Sequence, residues 1–287
     1  MSDPLPSLAP SRASSQVLRK RLLTSAWLIP AVTCAVLLLP TAAFAVFVAL
    51  ILLLAAWEWG PLTGVQGGVA RAAAVAVLAV ALLLLWFSPV PPAFLLVPTV
   101  VWWVGFAAAL PWLYPHPAEP RVDRILLLLG LPVLASPWVA LVYLHGELAQ
   151  GPWLVFGLIS LISLADTSAF FVGSRFGRRK LVPRLSPGKT WAGLYAALAA
   201  ASLALLVTGV LLGLPAAATL ALTLLGAMTV ALSVVGDLFE SWLKRRRGRK
   251  DSGALLPGHG GMLDRIDSMI AAAPVFALGL IWLGFAA

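Results

Sequence analysis

Charge is what this chain has least of. Only 11% of its residues are charged, against 61% hydrophobic. A soluble domain carries about 25% charged residues. That deficit points away from a soluble fold, and apolar runs of about 20 residues read as bilayer-spanning helices. Cysteine is almost missing: Cys34 is the single one, inside an apolar run. An intrachain disulfide is excluded, and nothing beside Cys34 offers metal-ligand spacing. Acidic residues are few as well, 11 against 20 Lys and Arg. The net charge of +9 does not argue for nucleic acid. The basic residues flank hydrophobic spans, where anionic head groups and cytoplasmic orientation account for them. No internal repeat and no soluble domain stands out.

The hydropathy pattern predicts an all-α polytopic membrane protein of about nine transmembrane helices. They fall near 22–39, 41–57, 69–87, 92–110, 125–144, 152–173, 191–213, 216–240 and 266–285. Residues 1–21 read as a cytoplasmic, disordered tail, 22–150 as an N-terminal transmembrane bundle and 151–287 as a C-terminal catalytic transmembrane region. Arg19, Lys20 and Arg21 before an apolar run, with AFA at 43–45, resemble a signal peptide. That run leads straight into a second one, which favours an uncleaved first helix. Pro30, Pro98, Pro132, Pro137 and Pro274 fall within spans, as packed membrane helices tolerate. The fifth span is the most open to a break, at GLPVLASP.

With the N-terminus cytoplasmic, all 20 Lys and Arg collect on one face. They lie in the tail and near 58–68, 111–124, 174–190 and 241–265. The opposite connections hold Glu147 as their only acid. This is the positive-inside bias, and it puts the C-terminus outside. His116 and His145 sit in connections without chemical context.

Two basic connections frame the chemistry: SRFGRRKLVPRLSPGKT (174–190) and SWLKRRRGRKDSGALLPGHGGMLDR (241–265). Asp237 and Glu240 are spaced i, i+3, so a helix presents both on one face. Asp264 and Asp267 repeat the spacing at the start of the next helix. Carboxylates at the edge of hydrocarbon are costly and normally have a partner or a task. Two facing pairs repel, and hard oxygen ligands suit Mg²⁺, which also binds substrate phosphates. Two ions can clamp the oxygens around a phosphorus. The residues therefore point to phosphoryl or nucleotidyl transfer at the membrane surface. The alternative task for these acids is to neutralise Lys244–Arg247 and Arg265 in ion pairs. Asp166, inside the sixth span with Thr167 and Ser168, is a further oxygen ligand for the metal or a buried partner of a neighbouring helix. Ser186-Pro187-Gly188 with Lys189 and Thr190 opens a helix, where backbone amides bind phosphate. Pro257, Gly258, Gly260 and Gly261 bend the chain for close backbone approach to a ligand. His259 is placed to donate to a phosphate or pair with a carboxylate.

The 241–267 segment closely resembles the signature of phosphatidate cytidylyltransferases, the CDP-diacylglycerol synthases. The matching residues are Ser241, Lys244-Arg245, Lys250-Asp251, Gly253, Pro257, His259-Gly260-Gly261 and Asp264-Arg265-Ile266-Asp267. ADTSAFFVGSRFG (165–177) and SPGKTWAG (186–193) are also similar to the family, with a departure at Ala192, where many members carry Glu or Gln. The resemblance covers about 160–280. It implies an integral protein of the bacterial inner membrane, active at the cytoplasmic face. The implied reaction joins CTP and phosphatidate into CDP-diacylglycerol and pyrophosphate with Mg²⁺, two ions or Mg²⁺ with a second cation. Asp237 and Asp264 would be the principal metal ligands, and Glu240 and Asp267 ligands or their support. Lys189, Lys250, Arg265 and His259 would contact phosphates, and Arg245 phosphatidate or triphosphate. Ser241 and Asp251 would order the loop. Two other classes compete with this reading. A CDP-alcohol phosphatidyltransferase would carry an Asp-Gly-x-x-Ala-Arg core, which is missing. A transporter would distribute polarity through its spans instead of gathering it at one face. A homodimer is left open, since no span carries a distinctive contact motif.

Overall fold

A computed structural model describes residues 26–113, 117, 121–255 and 260–284. The expected tail at 1–21, His116, and Pro257, Gly258 and His259 lie outside the described residues. The helices are α1 (Ala26–Leu38), α2 (Thr41–Thr63), α3 (Gly68–Trp86), α4 (Ala93–Ala109), α5 (Arg124–Glu147) and α6 (Gly151–Phe176). A two-stranded hairpin follows, β1 (Lys180–Val182) antiparallel to β2 (Ser186–Thr190). The chain ends with α7 (Trp191–Leu211), α8 (Ala216–Arg246) and α9 (Leu263–Trp282). Eight of these helices are long and apolar enough to cross a membrane, and α1 is shorter. The chain is thus an all-α polytopic membrane protein with one small hairpin.

The differences from the hydropathy reading concern ends and connections. GLPVLASP does not break α5, which carries Pro132 and Pro137 inside it. His145 belongs to the last turn of α5, not to a loop. It is buried, stacked on Phe44 at 4.2 Å, with Nε2 3.0 Å from the Val36 carbonyl and Nδ1 3.1 Å from Thr41 Oγ1. Ser186–Thr190 is a strand before it becomes a helix start. Pro187, lacking an N–H, is accommodated because each strand of a two-stranded sheet keeps one free edge. Helix α2 runs six residues past its expected end, through Pro61. Proline cannot bond the carbonyl four residues back. That carbonyl belongs to Trp57, and Arg71 supplies the missing donors, Nη2 at 2.7 Å and Nε at 3.1 Å. The same guanidinium stacks on the Trp57 ring at 3.9 Å, a cation–π contact.

One buried apolar cluster runs from Val36 on α1 to Leu280 on α9, joining residues on both sides of position 150. Phe239 on α8 is its aromatic hub. Phe106 lies 4.9 Å away, Trp102 5.2 Å and Trp103 5.5 Å, all edge-on. Such geometry places ring edges against ring faces, as aromatic quadrupoles prefer. It also fixes α4 against the turn of α8 that carries Asp237 and Glu240. Ala271, Ala272 and Ala273 on α9 are fully buried. Small side chains there let helix backbones approach closely, as membrane helix interfaces require.

The charged connections meet at one end of the bundle. Arg246 pairs with Asp123 at 3.1 Å, and Arg247 Nε donates to the Leu62 carbonyl at 3.1 Å. Asp123 caps α5 by accepting from the Leu126 amide at 3.1 Å. The C-terminal turns of α2 and α8 and the N-terminus of α5 are thereby tied together.

Candidate active site

Helices α8 and α9 cross at Gly236. A Cβ there would run into the Asp267 carbonyl oxygen and lie 3.1 Å from the Ala271 Cβ. Only glycine permits this approach, and it brings the next residue, Asp237, beside Asp267. Asp237 accepts from Lys189 Nζ at 2.7 Å and from Ser241 Oγ at 3.3 Å. Lys189 arrives on β2, one residue before Thr190, whose hydroxyl accepts from the Gly193 amide at 3.1 Å and caps α7. The hairpin and this cap therefore set the height of Lys189. Asp166 on α6 acts electrostatically on Lys189 and Asp237 and lines a cavity of about 360 Å³ with Lys189, Thr190 and Ser233.

A second pairing lies one turn further along α8. Lys244 Nζ bridges Glu240 at 2.7 Å and Asp264 at 2.6 Å. The other oxygen of Asp264 accepts from the Ser252 amide at 3.0 Å, the Ser252 hydroxyl at 3.0 Å and the Gly261 amide at 2.8 Å. Glu240 is 1% exposed, and its Oε1 has no hydrogen-bond partner. Asp267 and Asp264 both repel its charge. Asp267 in turn faces the charges of Asp237, Lys189 and Lys244, and accepts from the Ser268 amide at 2.7 Å. Three carboxylates thus contact two lysine ammonium groups, and Asp166 and Asp267 act on them electrostatically.

Below Asp264 lies a carboxylate that the spacing of the motifs did not reveal. Glu58, on α2, is 3% exposed. It accepts from Ser252 Oγ at 2.8 Å, from the Leu263 amide at 2.9 Å and from the Met262 amide at 3.0 Å. The first amides of a helix have no partner within the helix, and an anion at that end also opposes the helix dipole. Glu58 meets both needs for α9 from about 200 positions away in sequence. A Cβ at Gly253 or Gly261 would collide with its carboxylate, so those glycines are the space in which Glu58 sits. The available signal was thin: Glu58 is the only charged residue between 22 and 70, flanked by Trp57 and Trp59. Ser252 was missed too, because the signature places no emphasis on it.

The remaining expected residues divide. Asp237, Glu240, Asp264, Asp267 and Asp166 share the site, with Ser241 and Lys189. Among the described residues, however, no three acidic, histidine or cysteine side chains converge in a group able to hold a metal ion. Asp237 and Asp264 are held by separate lysines: the alternative task of these acids, ion pairing with the basic run of α8, is realised at Lys244, while Asp237 pairs with Lys189 and Arg246 turns to Asp123 instead. Lys250, Asp251 and Arg265 are exposed around the loop, and Ser186 is partly buried in β2. Arg245 is engaged by backbone: Nε to the Leu185 carbonyl at 3.4 Å and Nη1 to the Arg249 carbonyl at 3.2 Å. It braces the hairpin against α8. Gly260 has φ 82° and closes the loop over Asp264. His259 lies outside the described residues.

Comparison with known proteins adds a second line. Residues 19–282 match the model of the cytidylyltransferase family. A phosphatidate cytidylyltransferase of Pseudomonas aeruginosa is 42% identical over 271 residues, covering 93% of this chain and 97% of the relative. One from Haemophilus influenzae is 34% identical over 287 residues, covering 91% and 98%. An uncharacterized Escherichia coli protein, YnbB, is 45% identical over 126 residues, 44% of this chain and 42% of that protein.

Proposed function

The chain belongs to the cytidylyltransferase family, and from that premise we propose that it joins phosphatidate to CTP at the charged end of α8 and α9, releasing CDP-diacylglycerol and pyrophosphate. The observation that carries the placement is the pair of opposed lysine–carboxylate contacts, Lys189 with Asp237 and Lys244 with Asp264. They sit within a few turns of each other at the edge of an apolar bundle. That is where a lipid phosphate and a soluble nucleotide can meet.

The chemistry asks little of a general base. A phosphate monoester has its second pKa near 6, so the attacking oxygen of phosphatidate is already ionised near neutral pH. It forms a bond to the α-phosphorus of CTP while the bond to the bridging oxygen breaks and pyrophosphate leaves. The barrier lies in bringing one anion to another and holding them in line. Lys189 and Lys244 supply positive charge inside the site. Lys250 and Arg265, exposed at its mouth, hold the triphosphate before and after the step. Asp237, Glu240, Asp264 and Asp267, with Asp166 beside them, are the residues that would hold Mg²⁺, two ions or Mg²⁺ with a second cation. The fit rests on donor chemistry: hard carboxylate oxygens, an unpartnered buried Oε1 on Glu240, and more acids than ammonium groups. Bound there, Mg²⁺ would neutralise phosphate charge around the reacting phosphorus.

The same reading sets this end of the bundle in the cytoplasm of a bacterial inner membrane, with the C-terminus outside. Support comes from the basic connections that cluster at this end. The test is turnover of labelled CTP with phosphatidate in membranes or detergent, with and without Mg²⁺. Magnesium-dependent appearance of CDP-diacylglycerol and pyrophosphate is expected. A folded preparation that releases no pyrophosphate would refute the assignment. Glu147→Gln serves as a control from the far end of α5, whose 24 residues extend about 36 Å at ~1.5 Å each. Its turnover should stay within about twofold of the wild type. A tenfold loss would overturn the sidedness.

A further inference from the structure

A second cavity, of about 630 Å³, opens beside the site but is not part of the lysine–carboxylate cluster. Its size lies in the ~300–1,000 Å³ range of ligand pockets. Helix α8 forms the floor with Ala231, Val234 and Leu238. Ala107 and Leu110 from the end of α4 form one wall, and Leu194 and Leu198 of α7 the other. The rim is different in kind. Arg179, Lys180 and Arg184, all on or next to the hairpin, border the cavity, and none of the described residues lining it is acidic. An apolar trough closed by three cations at its polar end is complementary to an anionic lipid.

Resting on the activity proposed above, we propose that this cleft seats phosphatidate, with its acyl chains between α4 and α7 and its phosphate at Arg179, Lys180 and Arg184. Leu238 is the neighbour of Asp237 in sequence, and Leu181, Leu194 and Val234 line both this cleft and the Asp166 cavity. The partition between lipid and reaction site is therefore one side chain thick. The hairpin spans it: β1 carries Lys180 to the cleft, and β2 carries Lys189 to Asp237. A lipid drawn along the cleft by its phosphate reaches the reacting end without leaving the bilayer edge.

Energetics assign the parts different roles. An acyl chain gains almost nothing on moving from bilayer to apolar cleft, because lipid tails are as apolar as leucine. The trough guides but does not select. Selection falls to the cations, and near a membrane surface each Lys or Arg contributes enough to change binding several-fold. Arg179 also stacks over Trp191 at 5.6 Å, which holds its guanidinium at the rim.

The test uses the purified full-length enzyme in mixed micelles, varying phosphatidate and CTP independently. Lys180→Gln combined with Arg184→Gln should raise KM for phosphatidate at least tenfold while KM for CTP stays within twofold. Leu198→Trp, which fills the trough, should raise KM for long-chain phosphatidate but spare the dihexanoyl form. With the unaltered enzyme, a phosphatidate bearing a photoreactive acyl chain should label α7 or α8 between 194 and 238. An unchanged phosphatidate KM, a matching rise in KM for CTP, or labelling confined to other helices would each overturn the assignment. So would phosphatidylglycerol competing with the label as well as phosphatidate does, which would make the cleft a general anionic-lipid site. A wild-type enzyme that fails to turn over CTP and phosphatidate would instead defeat the underlying activity.

Discussion

Asp264→Asn is expected to lower turnover of CTP by about two to three orders of magnitude, the loss typical of removing one preorganised electrostatic contact from a reaction site. Its geometry makes the substitution unusually informative. Oδ2 accepts from three donors, the Ser252 amide and hydroxyl and the Gly261 amide. An asparagine must keep its carbonyl oxygen there and turn its amide nitrogen towards Lys244. The 2.6 Å contact with an ammonium then becomes a donor facing a donor. Lys244 would retreat to Glu240, and the charge balance around the reacting phosphates would change with little loss of packing. Expression, detergent extraction and elution volume should match the wild type, so the loss would be chemical. If Asp264 also ligates the metal, raising Mg²⁺ should recover part of the rate. Turnover near the wild-type value would exclude Asp264 from the chemistry and leave it as a loop anchor.

The sequence revealed the parts of this site that recur at short spacing. Asp237 and Glu240, then Asp264 and Asp267, are each one helical turn apart, and helix geometry alone places each pair on one face. Of the nine expected spans, eight among the described residues are helices long and apolar enough to cross a membrane, and α1 is a shorter apolar helix. Apolar runs of bilayer length are a strong signal. Three features were less visible, each for a physical reason. The hairpin at 180–190 has strands of three and five residues, too short for an alternating pattern to show. Lys244 sits in a run of basic residues that reads as a membrane-facing patch. Only the fold shows that it turns inwards while Arg246 turns to Asp123. Glu58 depends on contacts across about 200 residues, and nothing local distinguishes it from an interfacial acid. Loop length and helix ends, which decide where α2 meets α9, are set by tertiary contacts such as that of Arg71 with Trp57. Periodicity does not carry that information.

Glu58 is where this long-range dependence has its largest consequence. Glu58→Ala should be among the most damaging single changes outside the lysine–carboxylate cluster. It strands the Met262 and Leu263 amides, and removing one partner from a buried charged network costs about 3–5 kcal/mol. The loss should appear as a lower thermal midpoint and as faster hydrogen exchange at Ser252, Met262 and Leu263, with α5 and α6 unaffected. Activity should fall further than stability alone explains. Ser252 stands between Glu58 and Asp264, its one hydroxyl proton shared between them, with Oγ 2.8 Å from Glu58 and 3.0 Å from Asp264. Once that hydroxyl is free to turn, the Asp264 carboxylate loses its fixed direction, and a shift near 1 Å can cost about 10²-fold in rate. Glu58→Gln separates the two effects. The amide keeps the volume, but either orientation sets its nitrogen against a backbone N–H, at Met262 or at Leu263. It should cost about 1–3 kcal/mol, the penalty for a buried polar group left unsatisfied. Its kcat should fall about tenfold at nearly constant KM for CTP, because Lys250 and Arg265, the proposed nucleotide contacts, are untouched. A Glu58→Gln enzyme with wild-type kcat and unchanged exchange at Leu263 would show that α9 holds its own N-terminus, and that Asp264 needs no support from α2.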